Sequence, residues 1–282
     1  MNYTVKKDSL EITFSSLGAE MISVKKDGVE RLWQNDNGAW GGHAPILFPF
    51  AGTCTFIKDG ITYGMKQHGI ARRNEFELVN QTENSIEFVL RSSEKTKELY
   101  PCDFELYVTY TLSGDSVELK WDVRNPGNDI TSFAIGGHET YALPEPVKNY
   151  EIVFEKDEVF DSWVMNKNNH LTGEKIHIGE GKILDCNTTL LDDAKTIVLI
   201  NVNSRFITLR NRITKKEVAT LSYPGFKNIF FWHCLGSQMI CLEPWINIPD
   251  YDNDTRDFSE KETTINLKPG ESKVFKRVIS YK

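Results

Sequence analysis

A chain of 282 residues with 40% hydrophobic and 26% charged side chains is long enough to bury a sizeable core and ordinary enough to be globular. Its formal net charge of −7 argues against a nucleic-acid partner, which would need a clustered basic surface. No apolar run approaches membrane-spanning length, and the N-terminal MNYTVKKDSLEITF has no apolar h-region. Five cysteines, odd in number and without a Cys-x-x-Cys pair, suit reduced thiols better than a disulfide frame or a zinc site. The expectation is a cytoplasmic protein with no membrane or nucleic-acid partner.

In chain order, Leu10, Ile12 and Phe14 alternate with polar residues, and Ile22 to Trp33 reads as strand, Lys26-Asp27-Gly28 turn, strand. Glu94 to Leu99 is the best of few helical signals. Phe104 to Leu112 and Val117 to Val123 carry period-two stripes around Ser113-Gly114-Asp115-Ser116, which predicts a long antiparallel hairpin. Further strands are expected over 197–202, 206–210, 218–223, 229–232, 263–267 and 274–281. With no βαβ rhythm, no solenoid repeat and no Gly/Ser linker, the reading is a single all-β domain over 1–282, a sandwich or barrel.

Three polar knots interrupt this pattern. In QHGIARRNEF, Gly69 allows His68 to be aimed into a cleft, Arg72 can present a guanidinium fork, and Arg73 is expected to be a solvated residue at a strand start. In IGGHETYALPE, His138 follows two glycines at a strand end, a placement for an acid catalyst with room left for substrate. In ICLEPWINIPD, Glu243 lies within apolar and aromatic residues, so burial should raise its pKa and poise it as a base. Trp245 offers a ring on which a sugar face can pack. His43 is expected to line the same cleft, His170 and His177 to be exposed, and His233 to be core. The run Asp250 to Asp254 fails as a calcium loop, since Thr255 and Lys261 stand where Gly and Glu are needed, and reads as a solvated acidic turn. His-Glu-x-x-His, a phosphate loop, a nucleotide fingerprint and Gly-x-Ser-x-Gly are all missing. What remains is acid/base equipment with no cofactor and no metal called for.

APILFPFAG (44–52), QHGIAR (67–72), GGHETYALP (136–144) and CLEPW (241–245), in this order, resemble the aldose 1-epimerase family and its LacX-like bacterial branch. GAEMISVKKDGVERLW and LKPGESKVF extend the resemblance over nearly the whole chain. The resemblance implies a large antiparallel β-sandwich of the galactose-mutarotase-like type and cofactor-free interconversion of aldose anomers; a monomer or homodimer is expected. It implies Glu243 as base, His138 as acid, His68 and Arg72 at the sugar, and Asp193, in LLDDAK, as a cleft residue. Two departures stand out: Thr53 where relatives carry Arg, and Glu139-Thr140 beside His138. A hexose-6-phosphate epimerase, a sugar binder without turnover, and a cupin-like metal site on His43, His68 and His138 are the competing readings.

Overall fold

The computed structural model of the protein describes residues 1–35, 38, 40–193 and 195–282. Two sheets dominate. One has nine strands, and its centre is the expected hairpin of Glu105–Ser113 and Ser116–Arg124, paired Leu112 to Val117 and Val108 to Trp121. The Ser272–Tyr281 strand, near the end of the chain, runs beside it. Leu106, Val108, Tyr110, Leu112, Val117, Leu119, Trp121 and Val123 are buried while their alternate neighbours, Asp122 apart, are not, because successive strand side chains point to opposite faces. Burying each such Leu, Val or Phe is worth about 1.5–3 kcal/mol.

The second sheet has six strands. Along its path run Ile197–Leu199, Asn228–Trp232, Met239–Trp245, Gly136–Gly137 and Ile46–Leu47, and Glu139–Ala142 also pairs with Met239–Trp245. All its pairings are antiparallel. One face packs on the nine-stranded sheet through contacts such as Tyr141 with Tyr281 at 6.3 Å between ring centroids. The other face is the floor of a cleft. This is an antiparallel β-sandwich, and among the described residues it has two short α-helices, Glu94–Lys97 and Thr189–Asp192. The first begins at a Ser93–Thr96 capping box, within the segment where a helix was expected. Among the described residues no helix is long and apolar enough to cross a membrane.

Several strands were not anticipated, and two neighbours are the longest of them. Tyr150–Met165 and Leu171–Asp185 form a long hairpin whose register shifts three times. These irregularities break the two-residue period, and the second strand is exposed along most of its length, so neither shows a clean hydrophobic stripe. The acidic turn is solvated as expected at Asp252 and Asn253 but not at its start. Asp250 is buried, and the Lys261 ammonium donates to both of its carboxylate oxygens (3.0 and 2.7 Å) and to the Asp254 carbonyl (2.8 Å).

The two sheets are also tied by charge. Glu139 points into the core, where Arg277 of the Ser272–Tyr281 strand donates to both its oxygens at 2.6 Å. The guanidinium lies over Trp121, 4.2 Å from the ring centroid. Gly137 makes room for it, since a Cβ there would stand 2.0 Å from Arg277 Nη1. The pair glycines were expected to leave space for substrate; instead Gly137 accommodates Arg277, and Gly136 accommodates the Trp245 indole, whose Cδ1 would lie 2.9 Å from an added Cβ. Breaking one side of a buried ion pair leaves a bare charge, so Glu139→Gln or Arg277→Met should cost about 3–5 kcal/mol in urea unfolding. The double variant should cost less than the sum of the two; strict additivity would mean that the pair is not an energetic unit.

Candidate active site

Strand register brings the proposed site together. Gly136 pairs with Trp245 and Glu139 with Leu242, so His138, between them, falls opposite Glu243. Phe230 pairs with Glu243 on its other side, and Val198 with Phe230. His138, Glu243, Phe230 and Val198 thus form one row across the cleft floor, and all four line the cavity. The alternation that sends Glu139 to the core turns His138 to the cleft. Thr140 follows on the His138 side, where its hydroxyl meets Cys241 Sγ at 3.3 Å.

His138 Nε2 stands 3.4 Å from Glu243 Oε1. Its ring is stacked on Trp40 at 4.9 Å and meets the His68 ring edge-on at 5.1 Å. Trp232 closes another side, also edge-on, at 6.5 Å. Trp40 and Trp232 were not singled out in the sequence. Trp40 sits in a segment with no strand period, and Trp232 reads as an ordinary strand-end aromatic.

His68 is held by backbone. Its N–H donates to the Gly52 carbonyl at 2.8 Å, and Ile70 N–H donates to the Phe48 carbonyl at 2.7 Å. His68 itself has a φ of 69°, and so does Gly69, in the left-handed region that glycine favours. A Cβ at Gly69 would lie 2.2 Å from the Phe48 carbonyl oxygen. Arg73 is exposed, as expected, but not merely solvated, because its guanidinium donates to the Gly69 carbonyl (2.7 Å) and the Gln67 carbonyl (3.2 Å). Arg72 lines the cleft and makes no hydrogen bond to another described residue.

Desolvation governs the charges. Glu243, 3% exposed, has its pKa pushed well above the usual carboxylate range by burial; the Trp245 indole lies near enough to oppose the rise in part, and the Glu139 charge adds to it. That indole makes no hydrogen bond of proper geometry, and neither does Nδ1 of His68 or of His138. Burial, and then the Arg72 charge, lowers His138 to about 3. His68 is likewise held well below its ordinary value, by burial first and then by His138, Arg72 and Arg73. The electrostatics therefore favour a neutral carboxyl and neutral imidazoles, not the carboxylate and imidazolium that separate base and acid roles would suggest. Three buried polar atoms without partners, each costing about 1–3 kcal/mol, thus belong to residues that line this cleft.

The cleft encloses about 520 Å³. His68, Arg72, His138, Glu243 and Trp245 all line it. Two expected lining residues do not. His43 is turned toward Glu20, with Nδ1 3.9 Å from its carboxylate, while its backbone N–H donates to that same carboxylate. Asp193 is an exposed helix-end residue paired with Lys195 at 2.9 Å, and it is Lys195 that reaches the cleft. This separation also removes the His43, His68 and His138 metal set, because His43 faces away. Donor atoms of His138, Cys241 and Glu243 do lie within 4.8 Å of one another. Burial raises the Cys241 thiol well above its ordinary value, and its Sγ already meets the Thr140 hydroxyl. His170, expected exposed, is half-buried between Thr53 (3.1 Å) and Asp252 (2.8 Å). Thr53 thus fastens the turn of the long hairpin to the cleft's edge. His177 is exposed and His233 is buried, its Nδ1 on the Met239 carbonyl at 2.9 Å, as the sequence suggested.

Comparison with known proteins gives this arrangement a family. The sequence profile of aldose 1-epimerase matches residues 1–280. The chain belongs to the aldose 1-epimerase family. It is 31% identical over 265 residues to the plasmid-borne and the chromosomal protein LacX of Lactococcus lactis subsp. lactis, covering 87% of each chain. Among solved structures it resembles a galactose mutarotase related enzyme from Lactobacillus acidophilus, at 27% identity and a TM-score of 0.89 over 100% of this chain and 97% of that one. A galactose mutarotase-like protein from Lactobacillus casei shares the fold at a TM-score of 0.93 and 23% identity, with both chains covered completely.

The backbone clamp around His68 has a simple test. Gly69→Ala combines a positive φ with a backbone collision, so unfolding by urea should show a loss of at least about 2 kcal/mol. Unchanged stability would mean that the clamp yields freely and does not position His68.

Proposed function

We propose that the chain, acting as one sugar-binding domain, is a cofactor-independent aldose 1-epimerase that interconverts the α and β anomers of a hexose. The observation that carries this reading is His138 facing Glu243 across adjacent strands at 3.4 Å, inside a cleft walled by aromatic rings. Ring opening requires one proton to leave the O1 hydroxyl and one to reach the ring oxygen. Glu243 takes the first and His138 delivers the second. The C1–O5 bond breaks with its electron pair on O5, and C1 becomes the aldehyde carbon. Rotation about C1–C2 and the reverse steps then give the other anomer and restore both groups.

The electrostatics add a refinement to these roles. The two groups together need to hold one proton. With both neutral, that proton rests on the carboxyl, and its passage to His138 yields the carboxylate and imidazolium that ring opening uses. His68 and the Trp245 indole N–H, each with an unpartnered nitrogen, can bind sugar oxygens, and Arg72 supplies a cation that has no ion pair among the described residues.

Polarimetry of freshly dissolved α-D-glucose and α-D-galactose tests the assignment. Wild-type protein should hasten relaxation, and Glu243→Gln should lower turnover roughly 10²–10⁴-fold while the fold persists. Full turnover in that variant would remove Glu243 from the chemistry. His138→Ala should lower kcat more than it raises KM. The pH dependence carries a sign as well: His138 gains its second proton only near pH 3, so kcat/KM should stay level from pH 7 to 5. The alkaline limb should follow loss of the Glu243 proton above its ordinary range. An acid limb near pH 6.5 would contradict a desolvated His138.

A further inference from the structure

The row of side chains that carries His138 and Glu243 continues past them. Phe230 and Val198 follow at one strand each, which puts three strand spacings, about 14 Å, between the backbones of His138 and Val198. At that edge the long hairpin docks, with Val198 N–H donating to Ser162 Oγ at 3.0 Å. The hairpin forms a wall there. Trp163 and Met165 pack against the apolar cluster of Val198, Phe230 and Trp245, while Ile176 lies across from Ser162 and Leu190 comes from the short helix.

The chemistry of the lining changes along this length. Beside His138 it is polar and rich in unpartnered nitrogens. Beyond Phe230 it is mostly carbon, from Trp163, Met165, Ile176, Leu190 and Val198, with Ser162, Lys195 and Thr196 among them. At the same end Lys195 uses one N–H on Asp193 and keeps capacity for hydroxyls, while Asn169, which donates to Gln67, lines the His68 side. A carbon floor with a tryptophan and a hydrogen-bonding rim suits the C–H face and hydroxyl edge of a second pyranose better than an alkyl chain, which would find no use for the rim.

We infer that the cleft holds two sugar subsites and that the preferred substrate is a reducing disaccharide, its free anomeric carbon at His138 and Glu243 and its second ring against Trp163 and Ile176. This deepens the proposed epimerase reading and rests on it. A single hexose would leave the apolar end unfilled. A second ring would bury it, and that binding energy would act on kcat/KM through KM.

The experiment compares kcat/KM for glucose and galactose with that for lactose, maltose and melibiose, by polarimetry. Titration calorimetry measures binding of the same sugars. At least one disaccharide should exceed both hexoses tenfold in kcat/KM. Trp163→Ala, and Ile176→Ala at a side chain 42% exposed in the fold, should each cut the disaccharide-to-hexose ratio at least fivefold. Hexose turnover in these variants reports that the fold has survived. If hexoses are turned over and no disaccharide is better, or the ratio does not move in either variant, the second subsite falls and the epimerase reading stands. If no sugar is turned over, but a disaccharide binds tighter than hexoses in a Trp163-dependent way, the subsite stands and the epimerase reading falls. No turnover and no preferential binding would overturn both.

Discussion

The register between residues 136–142 and the Met239–Trp245 strand is the constraint on which the rest depends. It sets His138 across from Glu243, and the strict alternation of strand side chains turns their neighbours Glu139 and Leu242 into the core. A slip of one residue would exchange the two sets, placing an ion-pair glutamate in the cleft and the histidine among aromatic core residues. The Glu139–Arg277 pair resists that slip, because a displaced Glu139 would leave Arg277 buried without its partner. An interaction on the far side of the sheet thereby fixes the orientation of the site.

The same enclosure that holds the rings also sets their protonation. Trp40, Trp232 and Trp245 surround His138 and Glu243 and exclude water, which favours neutral forms of both groups. A neutral pair avoids the desolvation cost of two buried charges, yet it is one proton transfer from the ionised pair. Such a pair suits a reaction whose donor and acceptor roles exchange between ring opening and ring closure. Arg72 is the charge that the enclosure retains, and it acts on both histidines.

Much of this was legible in the sequence. The stripe from Phe104 to Val123 specified the central hairpin because its inner face is wholly buried and its outer face is not. The segments around His68, His138 and Glu243 stood out as polar residues inside strand-like or glycine-rich surroundings, and those surroundings do position them. Other features depend on long-range partners that no local pattern records. Glu139 looked like a disturbance beside His138 because Arg277 lies 138 positions away along the chain. Asp193 and His43 sit near cleft segments in sequence but find nearer partners in Lys195 and Glu20. The hairpin over 150–185 was hidden by its bulges, and with it the wall carrying Trp163.

The Asp250–Lys261 contact bears on the cleft through its neighbour Pro249, a lining residue. Lys261 stands at the position where a calcium loop would close with an acidic ligand, and its ammonium supplies from within the chain the positive charge that such a loop borrows from solution. A counter-ion tethered by four methylenes cannot be diluted, chelated or exchanged. The turn that carries the cleft's edge thus draws its counter-charge from the chain itself, so its closure calls for no ion from solution.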